Sequence, residues 1–310
     1  MVVYLKEQFH PDAEALLRAN ATVVDNLDNP EAIDAVLVRR DKVPAEMINA
    51  LPNLKAIGRH GAGYDGVDYA AAKARGAQIV YVPSGNSQSV AELIVGLALN
   101  LERRISEANA ICRGEGFKCI APPDFQGAEL SGKVFGSIGM GNIAQRAAKI
   151  LTAGFGMRAV GYDRHSTPEK AASRGFEKAA SIEELLEVSD VVNISVPLND
   201  GTRNMISGEL FNHFKPGAVL INCARGGIVN EDDLYDALAA GKLKAAACDV
   251  FADEPPKPTN KLLSLPNFSA TPHIGGNTED AIRRTGVLLV ENVLHVLRGE
   301  PAEGLVDMTR

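Results

Sequence analysis

The sequence predicts an α/β fold, in which parallel β-sheets are covered by α-helices. Short runs rich in Val, Ile and Ala alternate with longer segments of helical periodicity, a pattern typical of such sheets. The alternation stops at a Gly-rich and Pro-rich stretch, residues 114–132, and restarts beyond it. A chain of 310 residues is also too long for one ordinary compact core. We therefore expect two domains, each with a doubly wound parallel sheet.

Strands and helices alternate in the first part of the chain. The strands are predicted at residues 2–5, 35–38, 55–58 and 78–80, and the helices at residues 12–19, 45–50 and 67–75. Gly76 follows the third helix and is expected to end it in the left-handed conformation. The apolar segment at residues 89–113 contains no proline, which predicts one long helix between the domains.

The second part of the chain repeats the pattern with clearer helix boundaries. Strands are predicted at residues 134–138, 158–163, 191–196, 218–222, 244–249 and 267–270. Ser181 with Glu184 three residues later forms a capping-box pattern, and Asn230 precedes an acidic first turn. Gly241 is expected to end the helix that follows Asn230. A last amphipathic helix is predicted at residues 278–297.

Composition and charge exclude several classes of protein. Hydrophobic residues make up 45% and charged residues 23%, as in an average globular protein. The net charge of −7 and the lack of dense Lys/Arg runs predict no nucleic-acid partner. No signal-peptide pattern or membrane-span pattern is visible, so we expect a cytoplasmic protein without a membrane partner. The four cysteines lack metal-site or disulfide spacing, which predicts buried thiols and no metal site.

A Gly-rich turn joins a predicted strand to a helix in the run VFGSIGMGNIAQ, which begins at residue 134. Gly139 permits the tight turn, and Gly141 lets the backbone approach a pyrophosphate. The phosphates would meet the helix N-terminus at Asn142 and Ile143. The run therefore favours a dinucleotide-binding Rossmann domain, although Gly-rich turns also serve as simple connections.

The second strand of this domain ends at Asp163, about 24 residues after Gly139, where a carboxylate can accept hydrogen bonds from an adenosine ribose. The same carboxylate would repel a 2′-phosphate, so the predicted cofactor is NAD. Arg164 and His165 directly follow and could soften that preference. An ordinary exposed Asp at a strand end is the alternative interpretation.

Three later segments place polar side chains at the ends of predicted strands. They are INCARGG at residues 221–227, DVFADEPP at residues 249–256 and TPHIGG at residues 271–276. Open α/β sheets bind their ligands at this edge, which makes Arg225, Glu254 and His273 candidate catalytic residues. Each alone also has an ordinary interpretation, as a salt-bridge partner, a solvated loop residue and a structural histidine.

With these segments, and with RHGAGYD at residues 59–65 and SGNSQSVAE at residues 84–92, the sequence resembles the D-isomer-specific 2-hydroxyacid dehydrogenases. This family includes D-3-phosphoglycerate dehydrogenase and hydroxypyruvate reductase, and the resemblance covers nearly the whole chain. The family often carries a Trp before the phosphate loop. This sequence has no Trp, and Phe117 lies near that position.

The resemblance implies a NAD-dependent oxidoreductase that reversibly transfers a hydride between nicotinamide and a small 2-hydroxy acid. Arg225 would bind the substrate carboxylate and carbonyl oxygen. His273 would give its proton to the developing alkoxide, and Glu254 would hold the other ring nitrogen. Cationic capacity near Arg59 and His60 favours a phosphoglycerate-like, hydroxypyruvate-like or glyoxylate-like acid over an apolar one.

The resemblance also implies the remaining binding residues. The backbone amides of Gly61 and Ala62 would hold the substrate carboxylate, together with Arg225 and His273. The further cofactor contacts would be Val196, Pro197, Cys223, Ala224, Arg225, Asp249, His273 and Gly275. Among these, Asp249 is expected near the nicotinamide carboxamide.

The implied architecture is a flavodoxin-like substrate domain, residues 1–98 and 281–310, around an inserted NAD-binding Rossmann domain at residues 99–280. The active site would lie in the cleft between them, and the protein would form a homodimer through the NAD-binding domain. No C-terminal regulatory domain is expected.

The alternative function is a NAD-sensing, co-repressor-like binding protein with little turnover, although an intact Arg, Glu and His set argues against it. A formate dehydrogenase is expected to carry Gln at position 254.

Overall fold

Two parallel β-sheets organise the chain in the computed structural model, which describes residues 1–309. The strands are Val2–Leu5 (β1), Thr22–Val24 (β2), Ala35–Val38 (β3), Ala56–Arg59 (β4), Gln78–Tyr81 (β5), Val134–Ile138 (β6), Arg158–Tyr162 (β7), Glu177–Lys178 (β8), Val191–Ile194 (β9), Val219–Asn222 (β10), Ala245–Cys248 (β11) and Phe268–Ala270 (β12). The α-helices are Pro11–Asn20 (α1), Ala45–Asn49 (α2), Tyr69–Arg75 (α3), Ser87–Arg103 (α4), Ile105–Arg113 (α5), Asn142–Phe155 (α6), Pro168–Ser173 (α7), Ile182–Val188 (α8), Glu231–Ala239 (α9) and Glu279–Arg298 (α10).

The first compact unit comprises Met1–Ser89 and the described chain from Gly276 onward. Its five strands lie in the order β2-β1-β3-β4-β5, and every pair is parallel. This is the flavodoxin-like order that the family resemblance implies. All four residues of β3 are buried, since a parallel sheet is covered on both faces. The apolar face of α10, including Leu289 and Val293, packs on this sheet.

The second compact unit, Val90–Gly275, contains a seven-stranded parallel sheet in the order β12-β11-β10-β9-β6-β7-β8. Counted from β6, this is the Rossmann order, extended by one strand. The chain reverses its direction across the sheet between β6 and β9, so a ligand crevice is expected where these two strands end. The α/β class and the two doubly wound sheets are therefore confirmed.

Most predicted elements are confirmed with small shifts at their ends, and Gly76 has the expected left-handed φ of 77°. Two strands were missed, β2 and β8. Both lie at the edge of a sheet and are only three and two residues long, so they are too short to show an apolar alternation by which a sequence could reveal them. The short helix α7 was missed as well.

The prediction of one helix over residues 89–113 is wrong, because the chain breaks at Arg104 into α4 and α5. Arg104 adopts a left-handed conformation, with a φ of 53°. Its Nε donates to Glu107 at 2.7 Å, and its guanidinium lies 3.8 Å from the centre of the Phe125 ring. Asn100 Oδ1 accepts the backbone N–H of Ser106 at 2.8 Å, which satisfies a donor at the start of α5. These side-chain contacts, two of them local and one with the more distant Phe125, stabilise the break, and helix propensity does not reveal them.

The domain boundaries at 98/99 and 280/281 stay a prediction. The two compact units change at 89/90 and 275/276, before each predicted boundary.

The expectation that all four thiols are buried is wrong for two of them, because Cys112 and Cys119 are exposed whereas Cys223 and Cys248 are buried. Among residues 1–309, no helix is both long and apolar enough to cross a membrane.

Candidate functional site

The carboxyl ends of the strands in the seven-stranded sheet carry the predicted cofactor and catalytic residues of the second unit. Since every strand pair is parallel, the loops after these strands emerge at one edge. The residues there are Gly139, Gly141, Asn142 and Ile143 after β6; Asp163 after β7; Val196 and Pro197 after β9; Cys223, Ala224 and Arg225 after β10; Asp249 and Glu254 after β11; and His273 and Gly275 after β12.

The turn after β6 has the geometry that a dinucleotide phosphate requires. Gly139 has a φ of 93°, and a Cβ there would lie 2.3 Å from the Ser195 carbonyl oxygen, so only glycine fits. Gly141 is the N-cap of α6, a Cβ there would meet nothing within 4 Å, and no side chain caps the helix. The open approach and the uncapped N–H groups of the first turn, at Asn142 and Ile143, fit a pyrophosphate.

A buried chain of hydrogen bonds from side chains of β6 and β9 holds this turn in place. Ser137 Oγ donates to the Gly139 carbonyl at 2.8 Å, and Asn193 Nδ2 donates to Ser137 Oγ at 3.0 Å. Both side chains are buried in the sheet, where polar groups cost stability unless they are paired. This pair is not among the site residues predicted from the sequence. Its signal is a polar residue in each of two otherwise apolar strands.

His273 and Glu254 form a hydrogen-bonded pair between the loops after β12 and β11. His273 Nδ1 lies 2.7 Å from Glu254 Oε2, while Glu254 Oε1 accepts the backbone N–H of Phe251 at 3.1 Å. Both side chains remain substantially exposed. Because the carboxylate fixes Nδ1 as the protonated nitrogen, Nε2 is the ring atom that can exchange a proton with a ligand.

The electrostatics of the pair favour an ionised carboxylate. Burial alone would raise the pKa of Glu254, but the hydrogen bond from His273 and the positive charges of His273 and Arg225 outweigh it, so the pKa lies below its ordinary value. The charge of Arg225 therefore acts on Glu254, and the three predicted catalytic residues share one electrostatic environment.

The loop that presents Arg225 is held by the buried side chain of Asn222. Its Oδ1 accepts the Ala224 N–H at 3.1 Å, and its Nδ2 donates to the Arg225 carbonyl at 3.0 Å. A Cβ at Gly226 would lie 1.8 Å from the Phe251 carbonyl oxygen. Only glycine therefore allows the loops after β10 and β11 to approach each other. Neither Asn222 nor Gly226 was identified as a site residue from the sequence.

Asp249 organises the loop that carries His273. Its side chain is buried, with 1% of the residue exposed. The carboxylate accepts hydrogen bonds from Thr271 Oγ1 at 2.6 Å, from the Ile274 N–H at 2.8 Å and from the Gly275 N–H at 2.7 Å. The Asp249 carbonyl also accepts the His273 N–H at 2.8 Å.

These bonds hold His273 in an uncommon backbone conformation, with a φ of 54°. A left-handed non-glycine residue carries strain that persists only when its surroundings fix it. Asp249 is therefore a positioning residue for His273, a role that the sequence analysis missed. Its expected contact with the nicotinamide carboxamide stays a prediction, as do the other cofactor contacts.

Gly61 and Ala62 belong to the first unit, directly after β4. Gly61 has a φ of 124°, and its carbonyl accepts the Val82 N–H at 2.9 Å. The role of both residues in substrate binding stays a prediction. The neighbouring His60 cannot contribute the expected cationic capacity at neutral pH, because burial lowers its pKa to about 4. Its Nε2 lies 3.1 Å from the Ile282 carbonyl oxygen.

Residues 95–275 match the sequence model of the NAD-binding domain of the D-isomer-specific 2-hydroxyacid dehydrogenases. The chain belongs to this family. It is 40% identical to D-3-phosphoglycerate dehydrogenase from Methanocaldococcus jannaschii over 99% of this chain and 59% of that protein. The chain thus spans about three fifths of the length of that relative.

Two further relatives match over most of their own length. Hydroxypyruvate reductase from Thermotoga maritima is 40% identical over 86% of this chain and 85% of its own. The NADPH-dependent glyoxylate/hydroxypyruvate reductase of Sinorhizobium meliloti has a crystal structure with a TM-score of 0.87, at 27% identity over 99% of this chain and 98% of its own.

Proposed function

We propose that the protein is a NAD-dependent D-2-hydroxyacid dehydrogenase, an oxidoreductase that acts reversibly on the CH–OH group of a small 2-hydroxy acid. One observation carries this proposal. The His273–Glu254 pair interacts electrostatically with Arg225 through Glu254. It lies on the same sheet edge as the N-terminus of α6 at Gly141, which no side chain caps. A dinucleotide site and an acid/base pair on one edge are what hydride transfer to a carbonyl requires.

Each catalytic residue has a defined task in this chemistry. A bound nicotinamide dinucleotide would supply the hydride in reduction and accept it in oxidation. The guanidinium of Arg225 binds the substrate carboxylate and carbonyl oxygen and stabilises the charge that develops on that oxygen. His273 donates the proton from Nε2 in reduction and takes it back in oxidation. The ionised Glu254 holds Nδ1–H and balances the imidazolium charge.

The functional test is the turnover of His273→Ala. Loss of a positioned general acid/base should lower turnover by about 10² to 10⁴-fold in both directions, while the dissociation constant for NADH stays within about threefold of wild type. His213→Ala is a matched control, because His213 Nδ1 lies 2.9 Å from Glu187 in an equivalent exposed pair. Unchanged turnover in His273→Ala would refute the assignment.

The proposed substrates are phosphoglycerate-like, hydroxypyruvate-like or glyoxylate-like acids, as the names of the three relatives above suggest. The measurement is kcat/KM for pyruvate, hydroxypyruvate, glyoxylate, 2-ketoisocaproate and 3-phosphohydroxypyruvate. If the branched apolar acid wins by tenfold or more, about 1.4 kcal/mol of transition-state preference, the polar substrate class is wrong.

The NAD-sensing binding protein is the less favoured function, because such a role does not require a His–Glu pair aligned beside an arginine. The substrate panel separates the two functions. Measurable NADH oxidation with any of these 2-keto acids favours the enzyme, whereas tight NADH binding with none would favour the sensor.

We also propose a homodimer formed through the NAD-binding domain. Apolar side chains are exposed on α5 and the segment after it, and they include Ile105, Phe117 and the 98% exposed Ile120. A groove of about 770 Å³ beside α5 is lined by both apolar and polar residues, among them Ile111 and Phe268. Two copies related by twofold symmetry can each cover the exposed segment of the other.

Light scattering tests the dimer directly. The wild type should have twice the mass of one chain, and Ile120→Asp should shift the equilibrium towards the monomer. Asp200→Ala, an exposed change elsewhere in the same unit, should leave the dimer intact. A monomeric wild type at micromolar concentration would refute this proposal.

A cytoplasmic location is proposed as well. It is supported by the four cysteines, which are all free in the described chain, as expected in a reducing compartment. Cell fractionation tests it. The expected absence of a nucleic-acid partner stays a prediction.

A further inference from the structure

The carboxylate of Asp163 is held from two sides. Asp163 follows β7, and the neighbouring Tyr162 carbonyl accepts the N–H of Gly139 at 2.8 Å, which ties this strand end to the phosphate turn. Oδ1 of Asp163 accepts the His165 backbone N–H at 2.9 Å, and Oδ2 lies 3.5 Å from Nη1 of Arg174. A carboxylate has about four acceptor sites, so it can still accept ribose hydroxyls.

Arg174 reaches Asp163 from a well-fixed position. It is the C-cap of α7, and its backbone N–H donates to the carbonyls of Ala171 and Ala172. Gly175 follows in the left-handed conformation, and Phe176 is buried in the core of the unit. The side chains of Arg174 and Asp163 are only 27% and 29% exposed, so solvent screens their interaction less than that of a surface pair.

Whether this position favours NAD or a dinucleotide with a 2′-phosphate depends on whether the Asp163 carboxylate is present. With Asp163 present, an additional 2′-phosphate would meet an anion, and the ribose hydroxyls of NAD are preferred. Without the carboxylate, the guanidinium of Arg174 would remain beside the ribose site with no anion to neutralise it. A guanidinium is well suited to bind a phosphate.

We propose that Arg174 is a specificity-determining residue for the adenosine end of the dinucleotide. It orients Asp163 for NAD, and its guanidinium can bind a 2′-phosphate only when Asp163 does not neutralise it. The proposal rests on the proposed function, because it assumes that this edge binds a dinucleotide. It adds a residue outside the predicted cofactor set, on the far side of α7 from Arg164 and His165.

The experiment measures dissociation constants for NADH and NADPH by ligand fluorescence, so that no turnover is needed. The variants are Asp163→Ala, Arg174→Leu and the double variant. We expect Asp163→Ala to tighten NADPH binding by about tenfold or more, and the double variant to lose that gain. Arg174→Leu alone should weaken NADPH binding more than NADH binding, because Asp163 is then unneutralised. The double-mutant cycle isolates the contribution of Arg174 to phosphate binding.

Two controls keep the result specific. Arg158→Leu removes the same charge from the opposite end of β7, where Arg158 pairs with Glu177, and should change neither constant by more than about twofold. Asp163→Ala with Arg174→Lys should retain part of the NADPH gain, because a cation remains.

The two levels of failure are distinguishable. If the double variant binds NADPH as tightly as Asp163→Ala does, the role of Arg174 is refuted while the dehydrogenase proposal stands. If the wild type binds neither NADH nor NADPH, the proposed function fails, and this inference fails with it.

Discussion

Buried polar residues hold the loops that present the candidate catalytic residues of this protein. Asn222 and Asp249 are both buried, and their hydrogen bonds run to the loops that present Arg225 and His273. A buried polar network is rigid when every member is paired, and it is costly when one partner is lost. The reactive side chains can therefore stay exposed to a ligand while their backbones are held in place.

Glu254→Gln should separate the charge of the carboxylate from its hydrogen bond. Because the pKa of Glu254 lies below its ordinary value, the wild-type side chain is ionised throughout the neutral range. The amide cannot balance an imidazolium, so we expect kcat for keto-acid reduction to fall by about 10²-fold or more. The dissociation constant for NADH should not change. Glu187→Gln, in the other exposed His–Glu pair, is the control, and an unchanged kcat in Glu254→Gln would contradict the mechanism.

His60 should make the stability of the protein depend on pH. Burial lowers its pKa to about 4 in the folded protein from an ordinary 6.5, so between these values the unfolded chain binds a proton that the folded chain does not. The free energy of unfolding should therefore decrease as the pH falls from 6.5 to 4, by up to about 3 kcal/mol. The penalty is absent above pH 6.5.

The measurement is urea unfolding of the wild type and His60→Gln at a series of pH values. Subtracting the two curves removes the contribution of the carboxylates, which titrate in both proteins. A difference curve that is flat between pH 4.5 and 7 would show that His60 does not titrate differently on folding.

At the scale of elements, the buried Glu102 near the end of α4 joins three segments of the second unit. Its side chain is 0% exposed, and its carboxylate pairs with Lys133, before β6, at 3.1 Å and with Lys244, before β11, at 2.5 Å. The lysines are partly exposed and can keep part of their hydration. A buried carboxylate with two cations fixes where α4 ends relative to the sheet, next to the break at Arg104.

Glu102→Ala should lower the free energy of unfolding by about 3 kcal/mol or more, since removing one partner of a buried ionic group leaves the others uncompensated. Chemical denaturation monitored by circular dichroism measures this. Glu129→Ala, at an exposed carboxylate, should change stability by less than about 0.5 kcal/mol. An effect of the same size in both variants would mean that the Glu102 cluster contributes little.

At the scale of the whole molecule, dinucleotide binding should stabilise the folded protein through linkage. NADH at 100 times its dissociation constant should add about 2.7 kcal/mol, or roughly 5 to 10 °C in Tm for a unit of this size. Differential scanning calorimetry measures the shift. His273→Ala should keep most of it, because His273 is one of many predicted cofactor contacts, and a wild type with no shift would contradict a nucleotide site in the second unit.

Local patterns predicted much of the fold and the site. Buried parallel strands such as β3 and β11 are continuous apolar runs, and the predicted cap residues Ser181 and Asn230 accept hydrogen bonds as N-caps in the structure. The edge strands β2 and β8 were not predicted, because strands of three and two residues are too short to show an apolar alternation. The Gly139 turn and the candidate catalytic residues were identifiable because each follows a strand within a short motif.

The sequence by itself determined the α/β class, the two sheets and the Gly turn, and it identified Arg225, Glu254 and His273 as candidate catalytic residues, because these features depend on periodicity and on residues close together in the chain. Only the tertiary structure decided the break at Arg104, the neutral state of the buried His60, the support of His273 by Asp249 and the pairing of Arg174 with Asp163. Each of these depends on burial or on contact between side chains whose positions in space follow from the packing of several elements.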